Sequence, residues 1–178
     1  MNNKEKLIQD NYSKINQISA RCMRVIVAIL ALAFVYCYFG TDMDESVLIV
    51  FFASAIFIAL IPTLIINILK FDHAPVTKHI VIICVCLIAT LMLTLLSTYA
   101  YPIMLFPILL ASLYYNQTLV LFASLLMSCG IVGSNYFAFR FSDVFIGFPC
   151  ESFEEVMMSY VVPQIVVVFG LSVAAYFI

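Results

Sequence analysis

The sequence predicts an all-α fold: a polytopic membrane protein with a six-helix transmembrane bundle and an N-terminal amphipathic helix. The 178 residues are 65% hydrophobic and 10% charged, whereas soluble domains are about half apolar and a quarter charged. Apolar runs close to the length needed to cross a bilayer, about 20 residues, recur along the chain. This composition excludes a soluble globule. The net charge of -2 gives no reason to expect a nucleic-acid partner.

Residues 1–21 form the predicted amphipathic helix on the cytoplasmic side. Charged residues alternate there with Ile8, Tyr12, Ile15 and Ile18, which recur at helical spacing. Two interpretations remain open. The segment can lie on the membrane surface as a separate helix, or it can be a solvated leader that continues into the first span.

Six apolar runs form the predicted transmembrane domain of residues 22–178. The runs are residues 22–39, 46–69, 80–97, 99–115, 118–139 and 156–178. Ala31-Leu32-Ala33 resembles a signal-peptide cleavage site, but the apolar run continues to Tyr38, so we expect an uncleaved span. Only Asn116 and Gln117 separate the fourth and fifth spans, which predicts an antiparallel helical hairpin.

Prolines interrupt three of the predicted spans. Because proline lacks an amide hydrogen, we expect helix kinks at these positions. The positions are Pro62, Pro102, Pro107 and Pro163. The fourth span is short and contains two of them. If it were re-entrant, only five spans would cross and the C-terminus would lie outside, but the distribution of charge favours six.

Seven of the eight basic residues fall on one side of the predicted bundle, and Arg140 falls on the other. The seven are Lys4, Lys6, Lys14, Arg21, Arg24, Lys70 and Lys78. By the positive-inside rule, both termini are predicted to be cytoplasmic in a multi-pass protein of the plasma membrane. An acidic rim is predicted on the outer side. Its members are Asp42, Asp44, Glu45, Asp143, Glu151, Glu154 and Glu155.

The predicted spans carry no Asp, Glu, Lys, Arg or His in their interiors. Proton relays and most ion-coupled carriers need such a group, so these classes are not expected. No hydrolase motif and no metal-binding spacing of Cys or His occurs, which predicts no catalytic residue, no metal, no cofactor and no enzymatic activity. Cys37 and Cys150 fall near the outer surface and can form a disulfide in an oxidising compartment.

A ligand pocket is predicted from polar residues next to two of the prolines. Its members are Thr63, Asn67, Tyr160 and Gln164. A proline frees a backbone carbonyl, and the neighbouring amide side chain adds polarity at the same depth. Structural kinking alone explains the Pro163-Gln164 pair equally well.

Small residues on the fifth span predict close helix packing, either within the bundle or at the seam of a homodimer. These helix-packing residues are Ser124, Ser128, Gly130 and Ser134, together with Gly133. Several tyrosines fit the aromatic belts at the membrane interfaces. They are Tyr99, Tyr101, Tyr114, Tyr115 and Tyr136.

The segment Phe106-Pro107-Ile108-Leu109-Leu110-Ala111-Ser112-Leu113-Tyr114-Tyr115-Asn116, followed by an apolar return helix, carries a resemblance. It resembles the N-terminal multi-span regions of signalling proteins from Firmicutes such as clostridia. There a six-helix membrane part precedes a cytoplasmic diguanylate cyclase, histidine kinase, phosphatase or chemoreceptor domain. The resemblance implies a sensory input module that responds to a small-molecule or lipid ligand, or to the bilayer itself, and works as a dimer.

The apolar end of the chain, Ala174-Ala175-Tyr176-Phe177-Ile178, adds the expectation of a cytoplasmic domain after residue 178. A rival interpretation is a carrier, because vitamin importers of the energy-coupling-factor type have substrate-binding subunits of this size. Those subunits carry Ala-x-x-x-Ala spacing on the first helix, which Ala28, Ala31 and Ala33 do not match. A structural or assembly subunit without a ligand is a third alternative.

Overall fold

The computed structural model describes residues 3–41, 43–71, 74–141 and 152–177, and every regular element in these ranges is helical. The α-helices are α1 (Asn3–Gly40), α2 (Glu45–Thr63), α3 (Thr77–Leu96), α4 (Phe106–Ser112), α5 (Gln117–Arg140), α6 (Phe153–Val156) and α7 (Val162–Tyr176). A π-helical turn, Leu64–Ile68, extends α2, and another, Met157–Val161, joins α6 to α7. We call the continuous unit Phe153–Tyr176 the last helix.

Five of the described helices are long and apolar enough to cross a membrane. They are Asp10–Gly40, Glu45–Ile68, Thr77–Leu96, Gln117–Arg140 and Phe153–Tyr176. An α-helix rises about 1.5 Å per residue, so each of them matches or exceeds the roughly 30 Å hydrocarbon core. Large apolar side chains such as Leu32, Phe57 and Leu125 lie exposed on their outer surfaces, which suits contact with lipid. Helix length, composition and the exposed apolar surface therefore fit an all-α protein that crosses a membrane several times.

Helix α3 lies at the centre of the bundle. Its buried residues include Val81, Ile82 and Leu95, and α2 and α5 pack on either side of it. Helix α1 packs mainly on α2, and the last helix packs mainly on α5. The order across the bundle is therefore α1, α2, α3, α5 and the last helix, with α4 filling the space between α3, α5 and α7.

Helix α1 runs without interruption from Asn3 to Gly40. No proline or glycine occurs between Asn3 and Phe39 to break it. The helical backbone of the amphipathic segment is therefore continuous with that of the first span. Its core-facing side includes polar residues, because Asn16 and Ser19 are buried while Ile18 is exposed.

The segment between α3 and α5 is short, yet it returns the chain across the bundle. Residues Ser97–Leu105 form a nine-residue 3₁₀-helix, which rises about 2.0 Å per residue against about 1.5 Å for α4. The extra rise compensates for the small number of residues. Tyr101, in the 3₁₀-helix, lies beside Gln164, whereas Tyr114, just after the end of α4, bonds to Asn16 near the opposite end of the bundle.

The four predicted kinks take different forms in the structure. Pro102 lies within the 3₁₀-helix, and Pro107 and Pro163 lie in the first turns of α4 and α7, each directly after an irregular helix. Pro62 is buried in α2 just before the π-helical turn Leu64–Ile68. The prolines therefore mark changes of helix type rather than simple bends in an α-helix.

The π-helical turn of the last helix keeps one side of that helix against the bundle. Its buried positions are Val156, Val161, Gln164, Val168 and Ser172. These positions step by five residues across the π-turn and by three or four elsewhere. A π-turn holds one more residue than an α-turn, so the wider turn keeps the buried stripe in register.

The two ends of the described chain lie at the same end of the bundle. The Tyr114 hydroxyl donates to Asn16 Oδ1 over 2.7 Å, and Gln117 Nε2 donates to the Tyr176 carbonyl over 3.2 Å. Arg24 extends back toward this end, where its Nε donates to the Ala20 carbonyl over 3.4 Å, as long cationic side chains do near a membrane surface. The assignment of this end to the cytoplasm stays a prediction.

Close packing of α3 on α5 depends on Gly130. A Cβ atom at this position would lie 2.3 Å from Thr90 Oγ1, and the Thr90 hydroxyl donates to the Cys86 carbonyl over 2.9 Å. We expect Gly130→Ala to force Thr90 from this position and to lower the free energy of unfolding by about 1–3 kcal/mol, the usual range for overpacking. Unfolding in mixed micelles of increasing denaturing-detergent content measures the change.

Gly133→Ala is the matched control, because nothing lies within 4 Å of a Cβ at that position. It should leave the stability unchanged or raise it slightly, since alanine favours the helix. Adding Thr90→Ala to Gly130→Ala should restore most of the loss. Equal effects at the two glycines would contradict the proposed contact.

Candidate functional site

Three side-chain hydrogen bonds join α5 to the last helix along an antiparallel seam. Gln117 Nε2 donates to the Tyr176 carbonyl at one end, the hydroxyls of Ser124 and Ser172 bond to each other further along, and Asn135 Nδ2 donates to Gln164 Oε1 over 3.2 Å at the other end. Interhelical hydrogen bonds between membrane helices contribute only about 0.6–2 kcal/mol each. The seam is therefore specific in register without being rigid.

The Gln164 end of this seam contains polar groups with unfilled hydrogen-bonding capacity. Gln164 is 3% exposed, and the Tyr101 hydroxyl lies beside its amide and near Tyr160. Within the described parts of the chain, Gln164 Nε2 and the Tyr101 hydroxyl make no hydrogen bond of standard geometry, and their closest polar contact is with each other. A buried polar group left unpaired costs about 1–3 kcal/mol. We call this arrangement the Gln164 cluster, and its polar groups are only weakly paired within the described parts of the chain.

The chain builds the Gln164 cluster where two irregular helices meet. Tyr101 directly precedes Pro102 in the 3₁₀-helix, and Gln164 directly follows Pro163 at the start of α7. Asn135 is held by a second hydrogen bond from Nδ2 to the Ile131 carbonyl over 2.7 Å. Asn135 is thus fixed on the regular helix α5. Tyr101 and Gln164 lie in or next to segments of 3₁₀- or π-helical geometry.

A groove of about 570 Å³ lies along the seam toward the other end. It is lined by Leu121, Ser124, Leu125, Ser128, Cys129, Phe169, Ser172, Val173, Tyr176 and Phe177. We call it the seam groove. A second pocket of about 340 Å³, lined by Ser112, Tyr115, Asn116, Gln117, Thr118, Val120, Ala175 and Tyr176, shares Tyr176 with it. The apolar seam groove and the more polar second pocket therefore lie next to each other along α5 and the last helix.

A buried polar contact on α1 was not anticipated from the sequence. Tyr114, expected in an interface belt, is only 1% exposed, and its hydroxyl donates to Asn16 and lies 3.4 Å from Ser19 Oγ. Lys78 Nζ lies 4.4 Å from the centroid of the Tyr12 ring, within the range of a cation–π interaction. The helical spacing of Tyr12, Asn16 and Ser19 could have indicated this face.

The four residues of the predicted pocket do not come together. Thr63 lies at the α1 side, where its hydroxyl donates to the Ala20 carbonyl over 3.4 Å, and Asn67 is exposed. Tyr160 and Gln164 lie toward the opposite end of the bundle in the Gln164 cluster. The pocket therefore separates into two unrelated pairs.

The predicted helix-packing residues on α5 serve two neighbours within the bundle. Gly130 faces Thr90 of α3, and Ser124 bonds to Ser172 of α7. Ser128 lines the seam groove, and the Ser134 hydroxyl donates to the Ile131 carbonyl over 3.1 Å. These contacts lie inside one chain, and the homodimer stays a prediction.

Several other predicted features involve residues outside the described ranges. Cys37 is buried, but Cys150 lies outside, as do Asp42, Asp143 and Glu151 of the acidic rim. The described ranges contain no group of three or more side chains suited to a metal ion. His79 packs edge-on against Phe122 at a centroid distance of 5.8 Å.

Comparison with protein-family models, with curated proteins and with solved structures gives no match to this chain. The class defined by the fold is an all-α protein with five helices that are long and apolar enough to span a membrane. The resemblance of the segment around Pro107 to signalling proteins stays an expectation.

The Gln164 cluster predicts opposite effects for two substitutions of similar size. Gln164→Met removes the unpaired Nε2 donor, and Asn135 keeps its bond to Ile131, so the free energy of unfolding should stay level or rise. Asn135→Leu takes away the bond to Gln164 Oε1 and should cost about 1–3 kcal/mol. Unfolding in mixed micelles compares the two. If Gln164→Met lowered the free energy of unfolding as much as Asn135→Leu does, Gln164 Nε2 would not be the weakly paired donor described above.

The Tyr114 contact predicts a smaller effect on stability at the α1 end. Tyr114→Phe removes the hydrogen bond to Asn16 and should lower the free energy of unfolding by about 0.5–1.5 kcal/mol. Tyr115→Phe is the matched control, since Tyr115 is 77% exposed, and it should have no measurable effect. Limited proteolysis of α1 provides a second readout, because the segment before Asn16 should become easier to cleave only in Tyr114→Phe.

Proposed function

We propose that this chain is the membrane-embedded sensory module of a bacterial signalling protein, in which a shift of the last helix against α5 is passed to a cytoplasmic domain. The observation that carries the proposal is the Gln164 cluster. It places a weakly paired buried donor, Gln164 Nε2, on the last helix at a point where Pro163 and a π-helical turn interrupt regular structure. A second position of the last helix in which Gln164 Nε2 gains a partner would remove the free-energy cost of this weak pairing.

The proposal includes a six-pass arrangement with both termini in the cytoplasm. Its support is the path of the 3₁₀-helix and α4, which leads from the Gln164 cluster to the Tyr114 contact near the opposite end of the bundle. Five long helices and this returning segment make six crossings. The basic residues Lys14, Arg21 and Lys70 belong to the end that also holds Tyr176.

The energies in the seam suit a switch between two packings. Three interhelical hydrogen bonds of about 0.6–2 kcal/mol each hold the last helix in place, and unpaired buried donors cost about 1–3 kcal/mol each. These opposing contributions are similar in size. Two positions of the last helix can therefore lie within the few kcal/mol that a ligand or a change in the bilayer can supply.

A small-molecule carrier fits these observations less well. Lys78, at the start of α3, is the charged side chain that the described ranges bury, and it lies beside Tyr12 near one end of the bundle. It is poorly placed to couple ion movement near the midplane. The seam groove is lined by exposed apolar side chains such as Leu125 and Phe169, which suits lateral access from lipid. The proposal assigns no reaction to this chain.

Distance measurements between spin labels at Tyr115 and Phe177 test the proposed movement in the intact chain. Both side chains are exposed, and genetically encoded labels leave the native cysteines in place. In lipid nanodiscs of different thickness, we expect two distance populations whose ratio changes with the bilayer. Gln164→Met should favour one of them, since it removes the unpaired donor.

Labels at Leu87 and Val132 provide the control pair, because both are exposed and stand on the closely packed helices α3 and α5. Their distance should stay constant in every bilayer. A single, unchanging distance between Tyr115 and Phe177 in all nanodiscs and in Gln164→Met would exclude the proposed switch.

A further inference from the structure

The seam groove and the adjoining polar pocket together have the shape of a site for one lipid molecule. The groove has small side chains on its floor, from Ser124, Ser128 and Ser172, and large apolar side chains such as Leu125 and Phe169 on its walls. Its volume of about 570 Å³ lies within the usual range for ligand sites, about 300–1,000 Å³. The hydroxyl protons on its floor are used within the protein, because Ser128 and one of the Ser124–Ser172 pair donate to a carbonyl of their own helix while the other donates across the pair. The floor can therefore accept a hydrocarbon chain.

The position of the site along α5 matches one leaflet of a bilayer. Helix α5 begins at Gln117, and the groove residues Leu121 to Cys129 lie about 6–18 Å further along its axis. Half of the hydrocarbon core is about 15 Å thick. The groove is thus at the depth of acyl chains, and the polar pocket around Asn116 is at the depth of lipid headgroups.

The polar pocket is lined by uncharged side chains. Its polar members are Ser112, Tyr115, Asn116, Gln117, Thr118 and Tyr176. Protein sites for phosphate groups usually provide arginine, lysine or free amides at a helix N-terminus. No basic residue lines this pocket, and the Asn116 side chain caps α5 by accepting from the Leu119 amide over 3.1 Å. Hydroxyl and amide groups remain to recognise a headgroup.

We propose that the seam groove and polar pocket bind one uncharged, hydroxyl-bearing lipid, of which diacylglycerol is the simplest example. One acyl chain lies in the groove between α5 and the last helix, and the glycerol hydroxyl bonds in the polar pocket. The molecule sits against the Gln117 to Tyr176 hydrogen bond, so its binding separates the two helices at this end. That regulatory consequence rests on the proposed function, whereas the binding site itself does not.

Native mass spectrometry of the full chain, released from detergent micelles, tests the binding. The probes are dioleoylglycerol, dioleoylphosphatidylglycerol and dioleoylphosphatidylcholine at equal concentration. We expect one dioleoylglycerol to be retained per chain, in preference to both phospholipids. Equal retention of all three lipids, or preference for a phospholipid, would overturn the proposal.

Variants at the groove and at the pocket separate the two parts of the site. Cys129 is exposed and lines the groove, so Cys129→Trp should fill it and reduce dioleoylglycerol retention by about tenfold or more. Thr118→Val should reduce the preference for dioleoylglycerol over phosphatidylcholine. Phe57→Trp, an exposed substitution on α2, is the control and should change neither. Unaltered retention in Cys129→Trp would place the lipid elsewhere.

A distance measurement with dioleoylglycerol in the nanodisc, between labels at the exposed positions Leu113 and Ala174, which lie outside the groove and the pocket, distinguishes this proposal from the proposed function. A longer distance that Cys129→Trp abolishes supports both. Retention of dioleoylglycerol without a change in distance keeps the lipid site and excludes its role in switching.

Discussion

The structure depends on one constraint, which is that a polar group in an apolar surrounding needs a hydrogen-bond partner within the protein. Lipid offers none to the backbone, so each spanning segment of a helical bundle must pair its amides and carbonyls within its own helix. Every irregular stretch within the bundle is accordingly a variant of the helix. The chain tightens to a 3₁₀-helix around Pro102 and widens to a π-helix before Pro163, so that most amides still find a carbonyl.

The same constraint divides the polar side chains into two groups. Many hydroxyls bond to a carbonyl four residues earlier in their own helix, as Ser54, Thr90 and Thr94 do. Such bonds satisfy the group without joining helices. Bonds between helices are concentrated at the Tyr114 contact and along the seam of α5 with the last helix. The Tyr114 contact anchors α1. The seam leaves hydrogen-bonding capacity unused at Gln164.

The sequence was sufficient for features that depend on local patterns. Apolar runs located the five long helices, and the polar pair Asn116 and Gln117 indicated a turn before α5, although the structure places Gln117 inside α5 and the connection at residues 113–116. Features that depend on distant partners could not be derived in the same way. The burial of Tyr114 requires Asn16, which is 98 positions away, and the division of the predicted pocket follows from the packing of whole helices.

The positions of the three seam contacts suggest how the two candidate sites communicate. Ser172 lies four residues from Tyr176 and eight from Gln164, which is about 6 Å and about 12 Å along a helix axis. If the Ser124 to Ser172 contact acts as the pivot, a displacement at Tyr176 is roughly doubled at Gln164, because the second arm is twice as long. The π-helical turn lies beyond Gln164 and can absorb the tilt without breaking α7. A lipid that wedges the helices apart at one end would therefore act most strongly on the cluster whose donors lack partners.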